Sequence, residues 1–187
     1  DFSGSDSFTY TVTDAQGGTD TGAVTIDVTP VADAPTLTAT AASGAEDTAI
    51  PLDIQSSLGD VDGSETLSVS VSGIPVGAVL SAGINNGDGS WTLGAGDLAG
   101  LTITPPQDFN GSIDLTVTST ATETANGDSA SLSDTLNVTV APVNDAPRAI
   151  AGAANVAEDS TLAGTLGAVD NEGDPFTFAL DTGPANG

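Results

Sequence analysis

The sequence predicts an all-β fold built as tandem Greek-key β-sandwich repeats of about 110 residues. Three observations carry this. Blocks of sequence recur in the same order, apolar residues alternate with polar ones at period two, and no segment carries the apolar stripe of an amphipathic helix.

The recurrence fixes the units. Val31-Ala32-Asp33-Ala34-Pro35 returns as Val143-Asn144-Asp145-Ala146-Pro147, Ala45-Glu46-Asp47-Thr48 as Ala157-Glu158-Asp159-Ser160, and Asp1-Phe2-Ser3-Gly4-Ser5 as Asp108-Phe109-Asn110-Gly111-Ser112. Residues 1–34 therefore read as the last strands of one repeat, 35–146 as a complete repeat, and 147–187 as the first strands of a following one. Only the middle unit is expected to close its own core. The Ala-Pro pairs at residues 34–35 and 146–147 suit short stiff linkers, because proline fixes φ and holds the residue before it extended.

Strand positions follow from the alternation. Phe8, Tyr10 and Val12 form one apolar row, followed by Val24, Ile26 and Val28, then Ile50, Leu52 and Ile54, then Leu67, Val69 and Val71. The pattern continues through Leu101 and Ile103, Ile113, Leu115 and Val117, and Leu136, Val138 and Val140, with Thr, Ser, Asp and Asn between. Asn86-Gly87-Asp88-Gly89 and Ala125-Asn126-Gly127-Asp128 read as turns. Trp91 is expected to anchor the central core, and Phe2 and Phe109, each ahead of a strand, to plug the core beneath their loops. In an isolated fragment the two partial ends, residues 1–34 and 148–187, carry strands from opposite ends of similar units and are expected to pair between chains, as an artefact of truncation.

Composition narrows the function. The formal charge is -25, from 26 acidic residues against the single Arg148, with no lysine, histidine or cysteine. Nucleic acid is excluded as a partner because its binding needs a basic surface that displaces counterions. No apolar run reaches the roughly 18 residues of a spanning helix, so this segment is not expected to insert into a membrane. No imidazole, thiol or amine is available as base or nucleophile, and an enzyme is not expected. Self-repulsion of this size calls for salt or bound cations.

The acids gather at the Ala-Pro junctions and in loops able to reach them. Calcium takes six to eight oxygens at about 2.3–2.6 Å, and closely spaced carboxylates supply them. Asp60-Val61-Asp62-Gly63-Ser64-Glu65 and Asp170-Asn171-Glu172-Gly173-Asp174 are two such loops. Neither is an EF-hand loop, since Val71 stands where the closing glutamate would fall. Isolated acids such as Asp88, Asp97 and Asp128 read as solvating loop charge.

These junctions, the Ala-Glu-Asp-Ser/Thr motif, the Asp-x-Asp-Gly loop and the run from Asp1 to Asp14 resemble the cadherin-like and bacterial Ig-like tandem repeats of very large calcium-dependent surface adhesins, often grouped with the repeats-in-toxin family. The resemblance implies Ca2+ held between successive units, and nominates Asp33, Glu46, Asp60, Asp62 and Glu65 around one junction set. It nominates Asn144, Asp145, Glu158, Asp170, Glu172 and Asp174 around the other. The side of a unit that Glu46 and Glu158 serve is left open, and Glu172 falls where the second Asp of the loop would stand. The resemblance further implies a non-catalytic, calcium-stiffened spacer at the bacterial cell surface, exported by type I secretion and active in adhesion and biofilm. Its partners would be neighbouring repeats of the same chain. The alternative is a repeat that itself binds carbohydrate, a surface or an identical repeat through homotypic contacts.

Overall fold

A computed structural model describes residues 2–60 and 63–183. Among these there is no α-helix. One short 3₁₀ turn, Ala95–Asp97, interrupts an otherwise all-β chain.

The first two strands, β1 (Gly4–Thr13) and β2 (Thr19–Val28), form an antiparallel hairpin with no further strand on either edge among the described residues. Its turn is built by Asp14, whose carboxylate Oδ1 accepts the Gln16 and Gly18 amides. Then come β3 (Thr36–Thr40), β4 (Ala42–Ala45), β5 (Ile50–Pro51), β6 (Asp53–Ser57), β7 (Glu65–Ser72), β8 (Val79–Leu80), β9 (Ile84–Asn85) and β10 (Ser90–Gly94). They are followed by β11 (Thr102–Thr104), the long β12 (Gly111–Glu123) and β13 (Ser129–Ala141), and finally β14 (Arg148–Ile150) and β15 (Gly167–Val169).

Strands β4, β13, β12, β7, β10 and β9 make one sheet, in that order. Across the core lie β3 paired with β6, and β5 paired with β11, which in turn pairs with β8. Since β5 and β6 are separated only by Leu52, whose amide reaches the Leu101 carbonyl, they act as one strand with a local irregularity. The chain thus crosses repeatedly between two sheets, the arrangement of an Ig-like sandwich.

The alternation read from sequence becomes burial in this region. Val69, Val71, Ile103, Val117, Leu136 and Val138 are completely buried and interdigitate between the sheets. Ser119 is buried among them, and its hydroxyl is satisfied across the core by the Ser56 hydroxyl at 2.6 Å. Trp91 packs on the rim of this core rather than at its centre, and Phe109 covers it from the loop before β12. Phe2 does not plug a core: it is 65% exposed, since the hairpin β1–β2 has no opposing sheet among the described residues.

Gly73 ends β7 with φ +85, and a Cβ there would stand 2.5 Å from the Asp114 carbonyl oxygen. Both the backbone conformation and the close approach require glycine. Gly73→Ala is expected to lower stability by about 2–3 kcal/mol, read from the midpoint of urea unfolding.

The repeat is visible as strand register. Gly4 faces Val28 and Phe8 faces Val24 in the first hairpin; Gly111 faces Val140 and Leu115 faces Leu136 in β12–β13. Likewise Arg148 faces Val169 and Ile150 faces Gly167 where Thr36 faces Ser57 and Thr38 faces Gln55. Even the left-handed backbone recurs, with Asp47 at φ 58 and Asp159 at φ 61.

Candidate metal centres at the two linkers

Each linker runs between carboxylates that bond its backbone amides. At the second linker, β4 ends where the Glu46 amide donates to the Ala141 carbonyl, and this turns the Glu46 side chain inward. Glu46 is 1% exposed; its Oε1 accepts the Val143 amide at 2.6 Å, and its Oε2 has no hydrogen-bond partner. Two residues on, the Asp145 amide donates to Glu172 Oε2 at 3.1 Å. Asp145 Oδ2 and Glu172 Oε1 are also buried without a partner.

Beside this linker, Asp47, Asp108 and Asp145 each place one carboxylate oxygen within 4.8 Å of the others. Asp47 and Asp108 reach this position through left-handed backbone at φ 58 and 57, a conformation that aspartate tolerates better than most residues. The Asp108 amide donates to Asp47 Oδ1 at 3.0 Å and locks the two turns together. Burial, then the charges of Asp145 and Asp47, push the Asp108 carboxyl above the usual carboxylate range. Such crowding favours either a proton or a cation. The chain's single basic residue, Arg148, lines the same cleft as Asp108 and Asp145.

The first linker is held in a matching way from the following strands. The Asp33 amide donates to Glu65 Oε1 at 2.6 Å, and Glu65 Oε2 is buried without a partner. The β12–β13 turn adds two contacts: Asn126 Nδ2 donates to the Pro30 carbonyl at 2.8 Å, and Asp128 Oδ2 accepts the Ala32 amide at 3.0 Å. Glu65 and Glu123 are 7% and 4% exposed, facing each other in register at the end of the β7–β12 ladder. Together with Phe2, Asp33, Asp60 and Ser64, Glu123 lines a cleft of about 210 Å³.

The positions differ from the expected sets in several ways. Glu46 belongs to the second linker, not with Asp33 and Asp60 at the first, because β4 runs parallel to β13 and carries it toward the chain's exit from the sandwich. Glu172 takes the role of Glu65, bonding the linker aspartate's amide, rather than that of a second loop aspartate. Asp170 is partly buried and its Oδ1 caps its own loop by accepting the Asp174 amide, while Asp174 and Asn144 are exposed. Glu158 is exposed and bonds neither linker. Asp62 lies outside the described residues.

Four participants escaped the sequence reading. Asp128 was expected to be solvating charge, yet it grips the first linker; Asp47, Asp108 and Glu123 were not singled out. The signal for the first two was present, since both lie within repeated motifs. Asp88 and Asp97 are local turn caps: Asp88 Oδ1 accepts the Ser90 hydroxyl and amide, which holds its carboxyl below the usual range, and Asp97 Oδ2 accepts the Gly94 amide.

A hard divalent cation fits these donors. Every side-chain ligand is oxygen, the set is anionic, and the buried Glu46 and Glu65 each keep one oxygen free of any hydrogen bond.

Residues 1–27 match the family model of a bacterial Ig domain. The match covers β1 and all of β2 but its last residue, a hairpin whose register recurs in β12–β13 of the central sandwich, and it supports an Ig-like domain. No curated protein matches the chain.

Proposed function

We propose that this chain is a non-catalytic spacer of a bacterial surface adhesin, whose units are held in line by calcium at the linkers and project a ligand-binding tip from the cell. The observation that carries this reading is the pair of orphaned glutamate oxygens, one at each linker, on side chains more than nine-tenths buried. A buried carboxylate oxygen without a partner is costly, and a bound cation removes that cost.

Glu46, Asp47 and Asp108 would contribute from the preceding unit, Asp145 from the linker, and Glu172 with Asp170 from the following loop. At the first linker the described members of the set are Asp33, Asp60, Glu65 and Glu123. A shared ion ties two units and the linker together; without it the same carboxylates repel. As extracellular modules they would bind with Kd of about 0.1–1 mM. An acidic, cysteine-free chain suits type I export and folding outside the cell as calcium is met.

Small-angle X-ray scattering of a chain of several repeats tests this. In millimolar calcium the maximum dimension is expected to lengthen and the flexibility to fall; in chelator the linkers bend. Identical profiles in both would remove the spacer reading and favour a directly adhesive repeat.

A further inference from the structure

The chain's single cationic side chain stands where the recurrence does not place one. Ala34-Pro35 is followed by Thr36 and Ala146-Pro147 by Arg148, at matching register: Thr36 faces Ser57, and Arg148 faces Val169. Thr36 turns its hydroxyl to the Ser57 hydroxyl at 2.7 Å, within its own strand pair. Arg148 instead lines a cleft with Asp108 and Asp145, beside Gln107 and Asn171. Resting on the reading of the linkers as calcium sites, we propose that Arg148 is a tethered counter-ion that competes with calcium at the second linker and sets the concentration at which that linker stiffens.

The need for a counter-ion is visible in the cluster itself. Asp47, Asp108 and Asp145 bring three carboxylate oxygens within 4.8 Å of one another. Glu46, 1% exposed, and Glu172 hold the Val143 and Asp145 amides, and each keeps a buried oxygen without a partner, as Asp145 does. The donors that reach these carboxylates are the backbone amides of Asp108, Val143 and Asp145, which satisfy oxygens but cancel no charge. With lysine and histidine absent, Arg148 is the one side chain able to do so.

The chemistry makes the two cations rivals. A guanidinium stays charged at every relevant pH and offers five N–H donors on a flexible stem, so it pairs with carboxylates without leaving the chain. It has no acceptor atom and cannot enter the shell of six to eight oxygens that calcium draws around itself. Both cations call on the Asp108 and Asp145 carboxylates, and they repel each other. Arg148 therefore limits carboxylate repulsion while calcium is scarce and weakens calcium binding as it rises. Thr36, in the same position after the first linker, supplies no such competitor.

Calorimetric titration of calcium into the 187-residue chain, carrying Glu65→Gln so that the heat reports chiefly the second linker, tests this. Adding Arg148→Thr is expected to tighten binding about fivefold or more, and Arg148→Lys, which keeps the charge, to leave it within about twofold. In an Asp145→Asn background the gain from Arg148→Thr is expected to fall below about twofold, because the contested carboxylate is gone. Thermal unfolding adds a readout that a structural ion pair would not give: the Arg148→Thr midpoint is expected below the parent's in chelator and above it in calcium. A midpoint lowered equally in both conditions, or saturable binding of equal affinity with and without Arg148→Thr, would overturn the proposal and leave the linker reading standing. No saturable binding in any of these chains would overturn both.

Discussion

Leu115→Ala is expected to lower the stability of the central sandwich by about 3 kcal/mol, the usual cost of a leucine-sized cavity in a packed core. Phe8→Ala, at the equivalent position of the first hairpin, is expected to cost under about 0.5 kcal/mol, as exposed sites generally do. The two side chains share a register position, Phe8 opposite Val24 and Leu115 opposite Leu136. They differ in surroundings, Leu115 being 1% exposed and Phe8 52%. Urea unfolding of both variants separates strand pattern from core membership. Equal losses would mean that the hairpin also lies in a packed core.

Glu46→Gln is expected to change the sign of its effect with calcium. The amide oxygen of glutamine still accepts the Val143 amide, so the linker contact survives. In chelator, removing one negative charge from a linker shared with Asp108 and Asp145 stabilises the fold by about 1 kcal/mol. In calcium the same change removes a ligand, and a tenfold weaker site forfeits about 1.4 kcal/mol of the stabilisation that binding confers. Thermal unfolding in the two conditions reads both terms. A variant equally destabilised in calcium and chelator would assign Glu46 a purely structural role.

The strands that build the core were legible because period-two alternation is a local property. Val69 and Val71, and Leu136, Val138 and Val140, are buried as their spacing demands. The short strands β8, β9 and β15 were not legible: two or three residues give no period to read, and partners distant in sequence define them. The same limit applies to the outer face of the large sheet. Alternation foretells that Thr118 is wet, but only the long-range register aligns it with Ser133, Ser70 and Thr92 in one row of hydroxyls.

The linkers were legible as acidic and repeated. Their membership was not. Glu46 lies about 100 residues before the linker whose amide it holds, and only the parallel pairing of β4 with β13 carries it there. Asp128 looked like turn charge because nothing local distinguishes it from Asp88. One caps its own turn and the other reaches a linker almost a whole repeat away. Phe2 and Phe109 occupy the same motif yet differ in burial, because burial depends on the opposing sheet and not on the motif.

The buried linker carboxylates are expected to act as cation ligands. Titrating calcium into the 187-residue chain by isothermal calorimetry, beside a chain carrying both Glu65→Gln and Asp145→Asn, tests it most directly. Saturable binding with Kd of about 0.1–1 mM is expected, weakened at least tenfold in the double variant. Heats of dilution alone, or equal binding in both chains, would contradict it.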